Sequence, residues 1–301
     1  VTGVASAQAI DVSNFQGNFG WATAKRQVPN LVLGMFRLTE GLPQSGDNSP
    51  DPFAAWNHAQ IRDAQLYRGA YHFLHPSLSG KAQAQYFLQE YGKLGFHSTA
   101  TDIFALDTEA TDGLSAGAIA ACARDFMAEI KASRPNNPAL VYSNFNFANI
   151  GADSGLGVYP LWLAFPSTVA PRPPAPWNTW TFWQWGTRPA AGEIVDADAF
   201  NGTVSDFENW IARFHNINPV HGLRVTKRGY TGVDIAWDAQ PGATSYTAKA
   251  LSGSHISRVV RTTATSCRLG FLLPRHTYTV RVRAHPGHSE GVDATVTVKL
   301  K

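Results

Sequence analysis

Cysteine is nearly absent: the 301 residues hold two, Cys122 and Cys267. Set far apart, they supply no disulfide framework and are not expected to pair, so stability has to come from packed apolar cores. No run of eighteen or more apolar residues occurs. The runs present, such as 31–36, have strand length, and no membrane span is expected. Nothing among the Cys and His residues has zinc-ligand spacing, and His72 and His75 form the one close pair in an apolar run, so neither a metal nor another cofactor is expected.

Charge is sparse as well, at 16% of residues, and the net +3 hides an uneven division. Residues 1–219 carry 13 Lys+Arg against 18 Asp+Glu, whereas 220–301 carry 12 against 4. A tail that basic attracts polyanions through its summed field, and a bacterial wall bearing phosphate polymers suits it as well as nucleic acid does. What the chain does have is 44% hydrophobic content, enough for two cores. Its start, Val1 to Ala9, is rich in small residues like the end of a cleaved export signal, which points to secretion.

Short apolar runs alternate with helical patterns through the first two hundred residues. Ala9-Ile10, Leu31–Leu38, Gly69–Leu74, Ile103–Leu106, Ala139–Tyr142, Leu161–Phe165 and Thr181–Trp185 read as strands. Phe53–Ala64, Lys81–Tyr91 and Ser115–Ser133 read as amphipathic helices, the last opening at a Ser115 cap and stopping before Pro135. Repeated strand and helix predict a parallel α/β architecture, an irregular TIM-like (β/α) barrel over residues 1–214 that loosens around the proline-rich segment 166–176. After a short helix at 206–214, residues 215–221 read as a linker. From 222 to 301 the period becomes two, as in Val233, Ile235, Trp237 and Tyr278, Val280, Val282, with turns at 238–242 and 286–287. That pattern predicts a small all-β, immunoglobulin-like sandwich.

The strongest chemical signal is Phe104-Ala105-Leu106-Asp107-Thr108-Glu109, an apolar strand ending in two carboxylates. Residues two apart on a strand share a face and lie about 6.6 Å apart along it, so both acids project toward the C-terminal mouth of a barrel. Like charges so close disfavour joint ionisation and leave a protonated acid beside a carboxylate, the pairing glycosidic cleavage needs. Asp11 and Glu40 follow the first and second strands, and Asp196 and Asp198 come near the last. First and last strands are neighbours in a closed barrel, which would bring Asp11 and Asp196 to Asp107 and Glu109. Phe15, Tyr71, Phe73, Tyr142, Trp162, Trp183 and Trp185 cluster near the same ends, with Gln184 among them. Flat aromatic walls and polar groups suit a carbohydrate groove; Phe73 and Trp185 read better as core.

Six motifs in order resemble glycoside hydrolase family 25, the Chalaropsis-type lysozymes: Asp11-Val12-Ser13 with Gln16; Thr39-Glu40-Gly41; Gly69-Ala70-Tyr71-His72-Phe73; Asp107-Thr108-Glu109; Trp162-Leu163-Ala164; and Trp183-Gln184 followed by Val195-Asp196. The likeness covers about residues 9–210. It implies an eight-stranded irregular barrel with few helices, and cleavage of the β-1,4 bond between N-acetylmuramic acid and N-acetylglucosamine. It also implies Glu109 as general acid, with Asp11, Asp107 and Asp196 shaping the field, and Glu40, Tyr71, Phe73, Tyr142, Trp162, Trp183 and Gln184 binding sugar. It does not choose between a protein nucleophile and the substrate's own acetamido group.

Two departures stand out. Arg37-Leu38 replaces the usual Lys-Ala, which reads as a repacked barrel wall ahead of an altered fit near Glu40, and Tyr142-Ser143 replaces Tyr-Thr. The tail resembles a fibronectin type III domain through Trp237 and the Leu272-x-Pro274-x-x-x-Tyr278 corner, whose tyrosine hydroxyl bonds to the main chain. The implied partners are bacterial peptidoglycan and, through 222–301, anionic wall polymers, with no nucleic acid. The implied protein is a monomer, secreted, wall-associated or released as a phage endolysin. A non-catalytic wall-binding protein and a glycosidase acting on chitin-like polymers are the competing readings.

Overall fold

Alternating apolar runs and amphipathic stretches become alternating strands and helices in the computed structural model, which describes residues 6–43, 49–95, 102–214, 220–240, 243–253, 255–286 and 293–301. In chain order these are β1 (Ser6–Val12), a 3-10 turn (Asn14–Gln16), α1 (Trp21–Gln27), β2 (Leu31–Glu40), α2 (Ala54–Asp63), β3 (Tyr67–Phe73), α3 (Gly80–Lys93) and β4 (Ile103–Asp107). There follow α4 (Ala116–Ser133), β5 (Ala139–Asn144), α5 (Phe145–Asn149), β6 (Leu161–Ala164), β7 (Phe182–Ala190), β8 (Glu193–Thr203) and α6 (Val204–Phe214). Most of the 215–221 linker, the first five residues, the end of the 238–242 turn and Gly287 lie outside the described residues.

β1 to β8 close a barrel in sequence order. Its pairs are parallel from β1 to β7, but β8 runs antiparallel to both β7 and β1, which corrects the expectation of a wholly parallel sheet. The reversal is a tight hairpin: Ala191 and Gly192 both take positive φ, 52° and 91°, as a primed two-residue turn requires. Alanine at the first of these positions hides the hairpin from a reading based on turn residues.

Each strand alternates between two destinations. Ile10, Phe36, Leu38, Ala70, Phe104, Leu106, Val141, Leu163 and Trp183 belong to the main buried apolar cluster, together with Phe87 of α3 and Ala123, Phe126, Met127 and Ile130 of α4. The helices have local reasons to form: the Ser79 and Ser115 hydroxyls accept from the Ala82 and Ala118 amides. Gly80 lets α3 approach α4, because a Cβ there would sit 2.0 Å from the Cys122 carbonyl oxygen. His72 ties β3 to its surroundings, its Nδ1 2.8 Å from Thr39 Oγ1 and its Nε2 3.0 Å from Gln83 Oε1, and burial drives its pKa down to about 3. At the other end of β3, Arg68 forms a buried pair with Asp102 at 2.9 Å, and Tyr91 donates to the same carboxylate at 2.5 Å.

The chain divides into two compact units, Val1–Phe207 and Glu208–Lys301, so the division falls inside α6 and earlier than the 214 read from composition. The second unit holds β9 (Arg224–Arg228), β10 (Gly232–Ala236), β11 (Ala243–Ser252), β12 (His255–Thr262), β13 (Ser266–Gly270), β14 (Thr277–Pro286) and β15 (Asp293–Lys299). They form two antiparallel sheets, ordered β13-β10-β9 and β12-β11-β14-β15. Val233, Ile235 and Leu269 of the first share one buried cluster with Tyr246, Ala248, Val280, Val282 and Val298 of the second. Tyr278 is buried and its hydroxyl accepts from the Leu273 amide at 2.9 Å. Replacing it by Phe should therefore cost this unit about 1 kcal/mol. A urea melt of the full chain checks this, and an unshifted midpoint for the second unit would remove the bond from the account. Both cysteines are free, and among the described residues no helix is long and apolar enough to cross a membrane.

Candidate active site

The second destination of the alternating strands is the barrel interior. Toward the mouth, Asp11 of β1, Arg37 of β2, Tyr71 and Phe73 of β3, Asp107 of β4, Tyr142 of β5, Trp162 of β6, Gln184 of β7 and Asp196 of β8 line one cavity of about 230 Å³, together with Ser13, Phe15 and Glu109. Deeper in, Ala9, Leu33, Met35, Leu140 and Phe182 fill the barrel on the same parity. Asp11 and Asp196 are directly paired across β1 and β8, as are Ala9 and Asp198. The antiparallel closing strand therefore brings an acid from the C-terminal side of the sequence beside one from its start.

Asp107 is the last residue of β4, and the ladder continues one step, the Thr108 amide and hydroxyl both donating to the Tyr142 carbonyl at 3.1 and 2.8 Å. Glu109 thus leaves the strand at the rim, open to solvent, while Asp107 is buried beneath it. The motif Asp11-x-Ser13-x-x-Gln16 turns out to be a capping box: the Ser13 amide donates to Gln16 Oε1 at 2.9 Å and the Ser13 hydroxyl accepts from Phe15. That turn presents Phe15, 83% exposed, at the cavity edge.

One hydrogen-bonded chain orders the floor. Tyr142 Oη donates to Gln184 Oε1 at 3.0 Å, which turns the amide nitrogen to donate to Asp11 Oδ2 at 3.0 Å. Asp198 sits beside Asp11, and its Oδ1 accepts from the Trp162 indole at 2.7 Å. Asp107 Oδ1 and Asp198 Oδ2 are buried and have no partner among the described residues. Burial is the first cause that raises every acid here. It pushes Asp11 up to about 7, aided by the Asp196 charge and opposed by Gln184 and Asp198. Asp107 is held well above the carboxylate range by burial and by the Glu109 and Asp11 charges, with Arg37 opposing. Glu109 is raised by partial burial and by Asp196, and Asp196 and Asp198 are raised by burial as well. At neutral pH such a set retains protons and titrates as a unit, giving an acid beside carboxylates.

Of the residues singled out in the sequence, Asp11, Tyr71, Phe73, Asp107, Glu109, Tyr142, Trp162, Gln184 and Asp196 come together, Phe73 as a lining residue and not as core. Trp183 does not. It lies between inward Phe182 and Gln184 on the opposite parity, packs in the outer apolar cluster, and its indole donates to the Phe165 carbonyl at 2.7 Å. Trp185 is partly buried against the same cluster. Glu40 is not among the residues lining the cavity; its carboxylate is shared between Arg37 Nη1 at 2.9 Å and His75 Nε2 at 3.2 Å. The departure at Arg37 is not wall repacking: Arg37 lines the cavity and reaches Asn14, Glu40 and Asp51. Its position on the inward parity of Leu33 and Met35 was the available signal. Ser143 faces outward and donates to buried Asp153 at 2.7 Å.

Residues 10–194 match the family model described as Glycosyl hydrolases family 25. Lysozyme M1 of Streptomyces globisporus is 32% identical over 211 residues, 66% of this chain and 69% of that one. The bacterial lysozyme structure from Streptomyces coelicolor superposes with a TM-score of 0.61 at 30% identity, covering 72% of this chain and 99% of that one. The spore cortex lytic enzyme SleM of Clostridium perfringens, at 17% identity and a TM-score of 0.59, covers 99% of both chains and is alike in fold.

Proposed function

The chain belongs to glycosyl hydrolases family 25 and is by that membership a muramidase, and we propose that it cuts the β-1,4 bond between N-acetylmuramic acid and N-acetylglucosamine of bacterial peptidoglycan with Glu109 as proton donor. The observation that carries this reading is the gathering of Asp11, Asp107, Glu109 and Asp196 in one aromatic-walled cavity. Glu109 stands where a leaving oxygen arrives from solvent, and its raised pKa keeps the proton it must deliver. As the glycosidic C–O bond breaks, that proton passes to the departing oxygen and positive charge develops on the sugar ring. Asp107, with a bare buried oxygen, and Asp11 face that charge, whose development favours their ionisation, and Asp196 at the rim orients the water that adds to the anomeric carbon and gives up a proton that restores Glu109. Tyr71, Phe73, Tyr142 and Trp162 offer flat apolar faces to sugar rings, and Gln184 holds Asp11 in place.

The second unit we read as a fibronectin type III-like sandwich. Three- and four-stranded antiparallel sheets over one core, buried Trp237 and the Tyr278 corner bond support this. Its basic surface would hold the enzyme on anionic wall polymers outside the cell, whether secreted, wall-bound or released by a phage. Digestion of purified walls followed by reduction of the products tests the chemistry: new reducing ends on muramic acid are expected, and ends confined to glucosamine would reject the muramidase assignment. Unchanged turbidity of the wall suspension would favour a purely adhesive barrel.

A further inference from the structure

Charge in the second unit is not merely in excess; it is left over. Asp234 pairs with Arg268 at 3.0 Å, Asp238 with Arg224 at 3.2 Å, and Asp293 with Arg283 at 2.9 Å and Arg281 at 3.7 Å. Every described acid of residues 220–301 is thereby engaged, while Arg228, Arg258 and Arg275 are exposed and have no carboxylate partner among the described residues.

Two of these arginines, Arg258 and Arg275, flank an exposed apolar group, and Arg228 ends the strand that leads into it. Tyr230, in the turn after β9, is 72% exposed, and Phe271 and Leu273, in the loop after β13, are 88% and 62% exposed. These loops lie together: the Leu272 amide donates to the Thr231 carbonyl at 3.0 Å, and the Arg275 amide donates to the Lys301 carbonyl, whose own amide donates to Gly229 at 3.3 Å. The Arg258 guanidinium lies over the Phe271 ring, 5.2 Å from its centroid, in cation–π geometry. Phe271 and Arg275 hold positive φ, 59° and 60°, a conformation that costs a bulky residue energy and is here spent on keeping an aromatic ring and a cation outward.

Rings alone would suit any apolar partner, and cations alone any polyanion. Guanidinium forks interleaved with flat faces suit a polymer that alternates phosphodiesters with sugar rings, the forks taking phosphate bidentately and the rings stacking on C–H faces. We infer that the end of the second unit formed by Arg228, Tyr230, Arg258, Phe271, Leu273 and Arg275 is a binding site for a phosphodiester-linked, sugar-bearing wall polymer. This rests on the reading of the second unit as the wall-holding one and gives that role a location.

The test uses the full chain with Glu109→Gln, so that the wall survives the assay. Its retention by walls carrying phosphodiester polymers is compared with retention by the same walls stripped of them with hydrofluoric acid. Stripping, and separately the combination Arg258→Gln, Phe271→Ala, Arg275→Gln, should each lower retention at low salt by at least about tenfold. In the otherwise unaltered enzyme the triple substitution should leave kcat/KM on soluble glycan fragments unchanged, which separates failure of this site from failure of the muramidase reading. Should the triple variant misfold, competition decides with the parent surface: soluble glycosylated polyglycerol phosphate should displace the protein from walls at concentrations where DNA of equal phosphate content does not. Equal retention by stripped walls, unaltered retention of a folded triple variant, or equal displacement by DNA each overturns the proposal.

Discussion

Glu109→Gln should lower kcat on wall polysaccharide by on the order of 10² to 10⁴-fold, with KM little changed. The substitution keeps the size and hydrogen-bonding reach of the side chain while removing the proton it donates. Because Glu109 sits at the rim and not in the packed floor, the fold should tolerate it. The pH profile adds a check that a structural role would not satisfy. The parent should lose activity on the alkaline side as pH rises through the raised Glu109 pKa. The residual activity of the variant should lack the alkaline fall. A variant with more than about a tenth of parental kcat would move the acid role to another of the gathered carboxylates.

How much of this was legible beforehand follows from parity. The strand ending Leu106-Asp107-Thr108-Glu109 showed its burial in its apolar run and offered its chemistry in the two acids at its end, although a solvated strand end has the same pattern. Convergence of Asp11 with Asp196 needed only closure of the barrel, which the repeated strand and helix predicted. The two differences inside the barrel, at Trp183 and Arg37, share one cause, the direction in which each residue of a strand points. Trp183 alternates with Phe182 and Gln184, so it had to face the helices if Gln184 faced the cavity. Arg37 had to face inward if Leu33 and Met35 did. The direction of β8 was a different matter, since Ala191-Gly192 carries no strong hairpin signature and long strands from 182 to 203 look alike in either direction. Some motif residues resemble chemistry and are architecture: Ser13 and Gln16 cap a turn, and His72 joins strand to helix as a neutral ring.

Asp11→Asn should make the barrel more stable at pH 8 while impairing catalysis. Asp11 has an ordinary pKa of 3.8 when unfolded and about 7 in the fold, so between those values the folded protein holds a proton that the unfolded chain has released. Stability falls with pH wherever the folded state binds more protons, so the contribution of Asp11 is full below about 3.8 and lost as pH climbs through about 7. Asparagine does not titrate, and its amide oxygen can accept from Gln184 as Asp11 Oδ2 does. Removing the charge also relieves Asp107 and Asp198, both of which it raises. The gain at pH 8 should be on the order of 3 kcal/mol, or roughly 5–10 °C in Tm, shrinking to little at pH 3.5. Thermal melts of parent and variant across pH 3.5–8 measure it. A difference that is flat with pH, or grows toward acid, would mean that the fold does not raise the pKa of Asp11. The carboxylate cluster would then be an ordinary charged surface, and not a site kept costly to the fold because the reaction requires it.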